Sequence, residues 1–388
     1  MSTMDKPAED QSVMTAWRRH LHAQPEIAFK EHKTSDFVAA KLEEFGLEVH
    51  RGLAGTGVVG TLRRGEGGGS VGLRADMDAL PIAEANNFAH ASQHVGHMHA
   101  CGHDGHTTML LGAASQLARD GHFRGTVHFI FQPAEEGEAG GRKMIEDGLF
   151  DLFPVDRVFG MHNWPGIAAG HFAVRPGPMM ASSDSWEMIV EGRGGHAAMP
   201  DTCTDPVVVS AQIVLALQTI VSRNLHPVDS GVVSVTQIHA GEAFNVIPGQ
   251  VVLRGTARSF QPATRDLIER RMAEIANGIA AAGNCSVHFH YDRRYPPTIN
   301  NADQARFAAD VAALLVGEEH VDRDPVPTMG GEDFAFMLQE KPGAYLFIGN
   351  GPSDHGRILH SPHYDFNDDI LSVGAAYWVK LIETALPA

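Results

Sequence analysis

Residues 97–131 of this 388-residue chain read HMHACGHDGHTTMLLGAASQLARDGHFRGTVHFIF, and this stretch decides the fold. One face of a predicted helix carries the apolar residues Met109, Leu110, Ala113, Ala114 and Leu117. Asp104 is placed to cap the N-terminus of that helix. The segment Gly125–Phe131 that follows is short and rich in β-branched and aromatic residues, which is typical of a buried strand. A helix that leads into a buried strand is the repeating unit of α/β folds.

The same alternation continues on both sides of this stretch. We predict two helices over residues 11–46, strands over 56–62 and 70–75, and a further strand over Val155–Met161. Strands separated by helices predict an α/β fold with a mostly parallel, doubly wound sheet.

The pattern changes near residue 182 and returns after Pro296-Pro297. Between these points we predict the order βαββαβ, which is a compact α+β unit. Its strands are Trp186–Glu191, Gly231–Ile238, Gln250–Arg258 and Ser286–Tyr291, and its helices are Pro206–Val221 and Asp266–Ala282. We therefore predict a discontinuous catalytic domain, 1–181 and 297–388, interrupted by an inserted domain at 182–296.

The composition narrows the classes of protein to consider. The chain is 43% hydrophobic and 20% charged, with a formal net charge of −17, so we expect no binding to nucleic acid. It has no run of 18 apolar residues, so we expect no membrane span. The polar start Met1–Gln11 lacks the apolar segment of a secretory signal, and three cysteines are too few for a disulfide framework. These features favour a cytoplasmic protein.

The start of the opening stretch, residues 97–106, is a candidate metal-binding run. It places a thiol, four imidazoles and a carboxylate within ten residues. Sulfur and imidazole nitrogen suit zinc, cobalt or nickel better than magnesium or calcium. The run alone does not distinguish a structural, stored or catalytic metal.

Further polar side chains follow the predicted strands: Asp76, Asp78, Glu135, Glu136, His162, His360 and His363. Ligands of open parallel sheets bind outside the carboxyl ends of the strands, so we expect these side chains to converge. In the adjacent pair Glu135-Glu136, one carboxylate can bind metal while the other remains free as a base. The set offers more ligands than one tetrahedral ion needs, which favours a pair of ions roughly 3.5–4 Å apart.

With these motifs the chain resembles hippurate hydrolases and related N-acyl-amino-acid amidohydrolases, in the clan of two-metal aminoacylases and carboxypeptidases. The matching segments are Arg74–Pro81, His99–His106, Gln132–Gly137, Met161–Pro165, Gly194–Pro200, Asn245–Gly249, Gly330–Phe334 and Leu359–Asp368. The resemblance implies that Glu135 is the general base. It implies metal ligation by Cys101, His103, Glu136, His162 and His360.

The resemblance also implies that the inserted domain is a lid and dimerisation module. His196 would then reach a dimer-related active site and stabilise the oxyanion, and Asn245 and Arg258 would help there or hold the substrate carboxylate. Asp76 lies where the wider clan has a metal-binding histidine. We expect Cys101 to replace it as a ligand, so that Asp76 stays outside the ligand set and Asp78 orients a ligand.

Several of these residues have simpler interpretations. We expect His90, His94 and His97 to be solvated loop residues, and His99 and His106 to make structural hydrogen bonds. Arg258 could equally pair with a surface acid. Glu332-Asp333 opens a helix, where acids complement the helix dipole without a catalytic role.

Together these features predict a cytoplasmic, homodimeric amidohydrolase with two divalent metal ions per subunit. Its substrates would be N-acyl amino acids such as N-benzoylglycine or N-acetyl amino acids. Zinc, manganese, cobalt and nickel all fit the ligands, and the preferred acyl group is left open. A dipeptidase or carboxypeptidase on the same fold, or a non-catalytic metal-binding protein, are the alternatives.

Overall fold

The computed structural model describes residues 7–354 and 357–388. The chain divides into two compact units, the first formed by Met1–Met179, Ile299–Val326 and Asp333–Ala388, the second by Met180–Thr298 and Pro327–Glu332. The segment Pro327–Glu332 differs from the sequence-based division, which places it in the first domain. It belongs to the second unit because the amide of Ala181 donates to the carbonyl oxygens of Thr328 and Gly330.

The described residues form these helices and strands in chain order. The helices are α1 (Pro7–Ala23), α2 (His32–Glu44), α3 (His103–Asp120), α4 (Glu135–Glu138), α5 (Gly140–Glu146), α6 (Leu149–Leu152), α7 (Pro206–Thr219), α8 (Pro262–Ala282), α9 (Ala302–Val316), α10 (Phe334–Glu340) and α11 (Leu371–Ala385). The strands are β1 (Glu48–Leu53), β2 (Gly57–Arg64), β3 (Gly69–Asp76), β4 (Gly125–Gln132), β5 (Arg157–Pro165), β6 (Phe172–Ala173), β7 (Gly177–Met180), β8 (Ser183–Glu191), β9 (Gly195–His196), β10 (Gly231–Ala240), β11 (Val246–Ile247), β12 (Gln250–Ser259), β13 (Ser286–Tyr295), β14 (Thr298–Asn300), β15 (Val321–Asp322) and β16 (Gly343–Gly351).

The first unit is built on a sheet whose described strands run in the order β1-β2-β4-β3-β5-β16-β6-β15. Its centre, β4-β3-β5-β16, is parallel, and β1 and β2 join it antiparallel. The central strands are buried along almost their whole length, because helices cover both faces of a parallel sheet. The predicted α/β fold with a mostly parallel sheet is confirmed.

Helix α3 begins differently from the prediction. Its N-cap is Gly102, in the left-handed conformation with φ = 92°, and Asp104 lies within the first turn and does not cap it. A Cβ at Gly102 would lie 2.2 Å from Asn163 Nδ2 and 2.5 Å from the Tyr364 hydroxyl. Only glycine combines this conformation with so close an approach, and this brings the start of α3 against the end of β5.

The second unit contains a four-stranded antiparallel sheet in the order β10-β12-β8-β13. Helices α7 and α8 pack on it, so that the main elements follow the predicted order βαββαβ, with the short strands β9 and β11 in addition. Its own hydrophobic core includes Trp186, Met188, Ile213, Leu217 and Met272. The two cores are separate clusters of buried side chains.

One helix of the described residues, Pro206–Asn224, is long and apolar enough to cross a membrane, which the sequence did not predict. Its buried residues Ile213, Leu217 and Ile220 belong to the core of the second unit. Its exposed face mixes apolar and polar residues: Leu215 is 73% and Val208 55% exposed, and Gln212 and Gln218 are exposed as well. A helix that packs on the core of its own domain passes the same test of length and composition.

Candidate metal centre

The carboxyl ends of the parallel strands bring the candidate ligands together. Among the described residues, five groups of side chains have ligand atoms that all lie within 4.8 Å of one another. Three of them contain two or more of the predicted ligands: Cys101 with His103 and His162, Cys101 with Glu136 and His360, and His103 with Glu135 and Glu136. The other two are Asp76 with His103 and His106, and Glu135 with Glu332 and Asp333. The five residues for which the resemblance implies ligation are therefore neighbours. His162 lies within β5, whereas the sequence placed it just beyond the strand.

The separations between these atoms suit metal ligation. Cys101 Sγ lies 3.3 Å from His162 Nε2, and Glu136 Oε1 lies 3.2 Å from His360 Nε2 and 4.0 Å from His103 Nε2. Ligand bonds of about 2.0–2.3 Å bring neighbouring donor atoms to such distances around one ion. Because Cys101 belongs to two of the groups, the cluster offers ligand sets for two ions.

A buried nitrogen without a partner tests whether the site fits a cation. His103 is completely buried, and neither of its ring nitrogens, Nδ1 or Nε2, has a hydrogen-bond partner among the described residues. Its Nε2 lies 3.8 Å from Asp76 Oδ2 as well as 4.0 Å from Glu136 Oε1. A buried polar atom left without a partner costs about 1–3 kcal/mol, and a bound cation would satisfy it. The residues present therefore fit a metal ion.

The electrostatics of the cluster also favour a cation. Burial and the nearby carboxylates of Glu136 and Glu135 raise the pKa of the Cys101 thiol well above its usual value. Burial opposes a charge on His103, but Asp76, Asp78 and Glu136 outweigh it and raise its pKa to about 10. A divalent ion would stabilise the thiolate and take the place of the His103 proton.

Contacts with neighbouring residues orient the candidate ligands. Asp78 Oδ1 accepts from the amide of Glu135, and Oδ2 from the amide of Glu136, each at 3.0 Å. The same Oδ1 lies within ion-pair distance of His103 Nδ1, at 3.3 Å, without forming a hydrogen bond to it. His162 Nδ1 lies 2.6 Å from the Asn163 carbonyl oxygen, so that its Nε2 is directed to Cys101. Asp78 thus holds the turn that carries Glu135 and Glu136, and its role in orienting a metal ligand stays a prediction.

His106 and Asp76 lie beside the cluster but are engaged elsewhere. His106 Nδ1 is 2.6 Å from Asp76 Oδ1, and His106 Nε2 accepts from the amide of Asn163 at 2.9 Å. Both ring nitrogens are therefore used, which fits the expected structural role. Arg74 donates to Asp76 Oδ2 at 2.8 Å, so that both oxygens of Asp76 are also occupied. Neither residue needs a metal ion to satisfy its polar atoms.

A second network of buried hydrogen bonds contacts Glu135 beside the candidate ligands, and the sequence did not reveal it. Arg74 donates to Gln132 Oε1 at 2.8 Å and to Asp333 Oδ1 at 3.0 Å. The amide of Asp333 lies 3.3 Å from Glu135 Oε1 and donates to it. Asp333 is therefore more than a helix-start acid. An arginine in an otherwise apolar strand was the available signal, but its partner lies 259 residues away.

Three other histidines differ from the sequence-based expectations, among them the half-buried His94, whose Nδ1 lies 2.9 Å from the Pro25 carbonyl oxygen. His99 is buried, yet neither of its ring nitrogens has a hydrogen-bond partner within residues 7–354 and 357–388, so the predicted structural hydrogen bond is absent there. Burial lowers the pKa of His99 to about 4, which keeps the ring neutral. His90 is half-buried and stacks on Phe88 with 3.9 Å between ring centroids, so it is not a freely solvated residue.

The remaining predicted site residues belong to the second unit. His196 is exposed on β9, and its Nδ1 accepts from the amide of Ala198 at 3.1 Å, so the neutral ring carries its proton on Nε2. The exposed Asn245 is next to it, because its carbonyl oxygen accepts from the amide of Ala197. Arg258 is half-buried on β12, and burial lowers its pKa in spite of Asp184. In the part of the chain that is described, no ion pair engages its guanidinium, so the predicted alternative of a surface acid finds no support.

Comparison with known proteins gives a consistent assignment. The model of peptidase family M20/M25/M40 matches residues 72–384. A hippurate hydrolase of Campylobacter jejuni is 44% identical over 364 residues, which are 94% of each chain. An N-acetylcysteine deacetylase of Bacillus subtilis is 39% identical over 366 residues, again 94% of each chain. Among solved structures, a dinuclear metal-binding peptidase of the M20 family from Bacillus subtilis superposes with a TM-score of 0.85 at 34% identity, covering 97% of this chain and 99% of its own.

Proposed function

This chain belongs to peptidase family M20/M25/M40 and is a metal-dependent amidohydrolase of N-acyl amino acids, and from that premise we propose the roles of its residues. Glu135 is the general base, and Cys101, His103, Glu136, His162 and His360 hold two divalent ions. The observation that carries this proposal is the turn at Glu135-Glu136, whose two amides share the carboxylate of Asp78. One turn thereby presents one carboxylate as a metal ligand and the other as the general base.

The assignment within the pair follows from position. Each glutamate belongs to two candidate ligand groups, but only Glu136 shares one with Cys101 and His360, and its Oε1 lies 3.2 Å from His360 Nε2. Glu135 is 7% exposed, and the amide of Asp333 donates to its Oε1 at 3.3 Å. That hydrogen bond fixes the direction of the Glu135 carboxylate without making it a ligand. A carboxylate oriented in this way can act as a base.

The reaction divides among the residues of the chain. Divalent ions, when bound, supply an acidified water and polarise the amide carbonyl. Glu135 takes the proton of the attacking water and returns it to the leaving amine. His196 donates from Nε2 to the developing oxyanion, because its Nδ1 is already an acceptor. Arg258 and Asn245 bind the substrate carboxylate, for which the planar guanidinium provides two parallel donors.

Replacement of Glu135 by glutamine tests the base. Glu135→Gln keeps the size of the side chain but cannot accept the proton, so kcat should fall by roughly 10²–10⁴ with the metal content unchanged. Glu138→Gln is the matched control, because Glu138 lies in the same helical turn and is exposed. Turnover of N-benzoylglycine by Glu135→Gln close to that of the wild type, with both metals present, would refute the assignment.

The substrate class and the metal need a separate experiment. We propose N-acyl amino acids such as N-benzoylglycine and N-acetyl amino acids, with a dipeptidase or carboxypeptidase as the alternative. Metal-stripped protein reconstituted singly with zinc, manganese, cobalt or nickel should be assayed on acyl amino acids and on free dipeptides. Faster hydrolysis of dipeptides would favour the alternative, and retained metal without any hydrolysis would favour a non-catalytic binding protein.

We further propose a cytoplasmic homodimer formed through the second unit. All three cysteines are free thiols, which suits a reducing compartment. We propose that a second copy covers the exposed Val207, Val208 and Leu215 of α7, because α7 packs beside β10, which is the edge strand of its sheet among the described residues. Such an edge and face can pair with their own copies about a twofold axis. Leu215→Glu should shift the mass measured by light scattering from dimer to monomer, and an unchanged mass would contradict this interface.

A further inference from the structure

Glu31 is a buried carboxylate far from the ligands in sequence, and the proposed mechanism does not use it. It is 0% exposed and is the N-cap residue of α2. Its Oε1 accepts from the amides of Phe29 and Ala134, each at 3.0 Å, and its Oε2 accepts from the Thr56 hydroxyl at 2.7 Å. Every hydrogen bond of this carboxylate therefore serves to hold the chain around it.

The two amides that Glu31 Oε1 holds belong to residues in an unusual conformation. Phe29 has φ = 59° and Ala134 has φ = 56°, both in the left-handed region that residues with a Cβ rarely adopt. Backbone strain of this kind persists only where surrounding contacts enforce it, and it is concentrated at functional sites. Ala134 immediately precedes Glu135 and Glu136.

Three successive amides of this turn point to two carboxylates. The amide of Ala134 donates to Glu31, and the amides of Glu135 and Glu136 donate to Asp78. Successive amides that converge in this way form a concave anion-binding turn, here filled by side chains of the protein. The left-handed residue sets the direction in which the next two side chains leave the backbone. The hydrogen bond to Glu31 is therefore tied to the direction of both functional glutamates.

We propose that Glu31 is a positioning residue, which holds Ala134 in its left-handed conformation and thereby aims Glu135 and Glu136 at the metal centre. This inference rests on the proposed roles of Glu135 and Glu136. Burial raises the pKa of Glu31 to about 7, against the hydrogen bond from Thr56, but Oε1 accepts both amides whether or not the carboxyl is protonated. The role therefore requires an acceptor oxygen at this position and not a negative charge.

The first experiment compares two replacements of Glu31. Glutamine keeps an oxygen for the two amides and offers an amide N–H to Thr56, so Glu31→Gln should retain kcat within about threefold. Glu31→Ala leaves a buried amide without an acceptor, and kcat should fall by about 10- to 100-fold, with KM changing less. Equal losses in the two variants would contradict the need for an acceptor.

Glu26 provides the matched control for damage to the surrounding loop. Its carboxylate accepts from the amide and hydroxyl of Thr34, and the described contacts do not join it to Ala134. Glu26→Ala should therefore lower the melting temperature without the loss in kcat, when both variants are assayed well below their melting temperatures. A loss of kcat in Glu26→Ala as large as that in Glu31→Ala would overturn the proposal.

A double replacement tests the strain itself. Glycine adopts positive φ without steric cost, so Ala134→Gly placed in the Glu31→Ala protein should recover about fivefold of the lost kcat. The four proteins of this cycle should be compared with the same substrate and metal. If the double variant is no better than Glu31→Ala, the left-handed conformation of Ala134 is not what Glu31 maintains, and the proposal fails.

Metal binding gives a readout that does not depend on hydrolysis. Metal-stripped protein titrated with cobalt(II) against a chelator, and followed by its visible absorption, should bind about tenfold more weakly in Glu31→Ala than in the wild type. Glu31→Gln should bind like the wild type. If cobalt binding follows this pattern but the wild-type protein hydrolyses no acyl amino acid, the positioning role of Glu31 is upheld and the proposed function is rejected. If Glu31→Ala leaves cobalt binding and kcat unchanged while Glu135→Gln abolishes hydrolysis, only the positioning role of Glu31 is rejected.

Discussion

Replacement of Asp78 by asparagine is the sharpest test of how the ligands are oriented. In the wild type, Asp78 accepts the amides of Glu135 and Glu136, one on each oxygen at 3.0 Å, and Oδ1 lies 3.3 Å from His103 Nδ1. Asparagine has nearly the same shape but only one acceptor oxygen. Its best orientation keeps that oxygen toward Glu135 and His103, and turns its NH₂ group toward the amide of Glu136.

The size of the effect follows from that count of hydrogen bonds. One buried N–H, that of Glu136, then faces another donor and loses its acceptor, which costs about 1–3 kcal/mol. Converted at about 1.4 kcal/mol per factor of ten, this is roughly 5- to 140-fold in metal affinity if the cost falls on the metal-bound state. Loss of outer partners of metal ligands typically reduces affinity or activity by about 10–100-fold, in the same range.

Metal affinity should be measured by competition with a chromophoric chelator, and kcat on fully loaded protein. Asp156→Asn is the matched control, because Asp156 accepts from the amide and hydroxyl of Ser70 beside the opposite end of β3. Its carboxylate is exposed and contacts the start of β3, whereas the candidate ligands lie beyond the end of that strand. Metal affinity should therefore not change in Asp156→Asn. Asp78→Asn protein that binds metal within twofold of the wild type, with an unchanged kcat, would refute the orienting role.

Four further predictions concern stability, substrate binding and metal. Gly102→Ala should lower the free energy of unfolding by about 2–4 kcal/mol in urea titrations, because a Cβ there combines positive φ with a 2.2 Å approach to Asn163; a loss under about 0.5 kcal/mol would contradict this. Burial opposes a charge on His22, but Asp104 and Glu84 raise its pKa to about 9 from 6.5. The protonated ring therefore contributes about 3–4 kcal/mol (about 2.5 pH units at about 1.4 kcal/mol each). This stability is complete below pH 6.5 and lost as the pH rises through 9, so the stability difference from His22→Gln should shrink over that interval. Arg258→Lys should raise KM about tenfold or more and change kcat little, and a change in kcat alone would argue against carboxylate binding. Removal of metal by a chelator should abolish hydrolysis and lower the melting temperature, by the equivalent of about 4 kcal/mol at a metal concentration of 1,000 Kd, with recovery on adding metal back.

The sequence by itself determined the architecture and predicted which polar residues gather at the candidate site. Apolar periodicity along α3 and the β-branched composition of β4 predicted the elements, because each must bury one face against its neighbours. The connection of parallel strands through helices then placed the residues after each strand at one edge of the sheet. For this reason the sequence predicts that Glu136, His162 and Cys101 lie close together, as they do in the structure.

Only the tertiary structure decided which of these polar groups have an atom left for a metal. His103 and His106 lie three residues apart at the start of the same helix and look equivalent in the sequence. His106 has both nitrogens engaged, by Asp76 and Asn163, whereas His103 Nε2 has no hydrogen-bond partner in the described structure. Glu31 lies 103 residues from the amide of Ala134 that it holds. Hydrogen bonds depend on tenths of an ångström between groups far apart in the chain, and sequence periodicity carries no information at that scale.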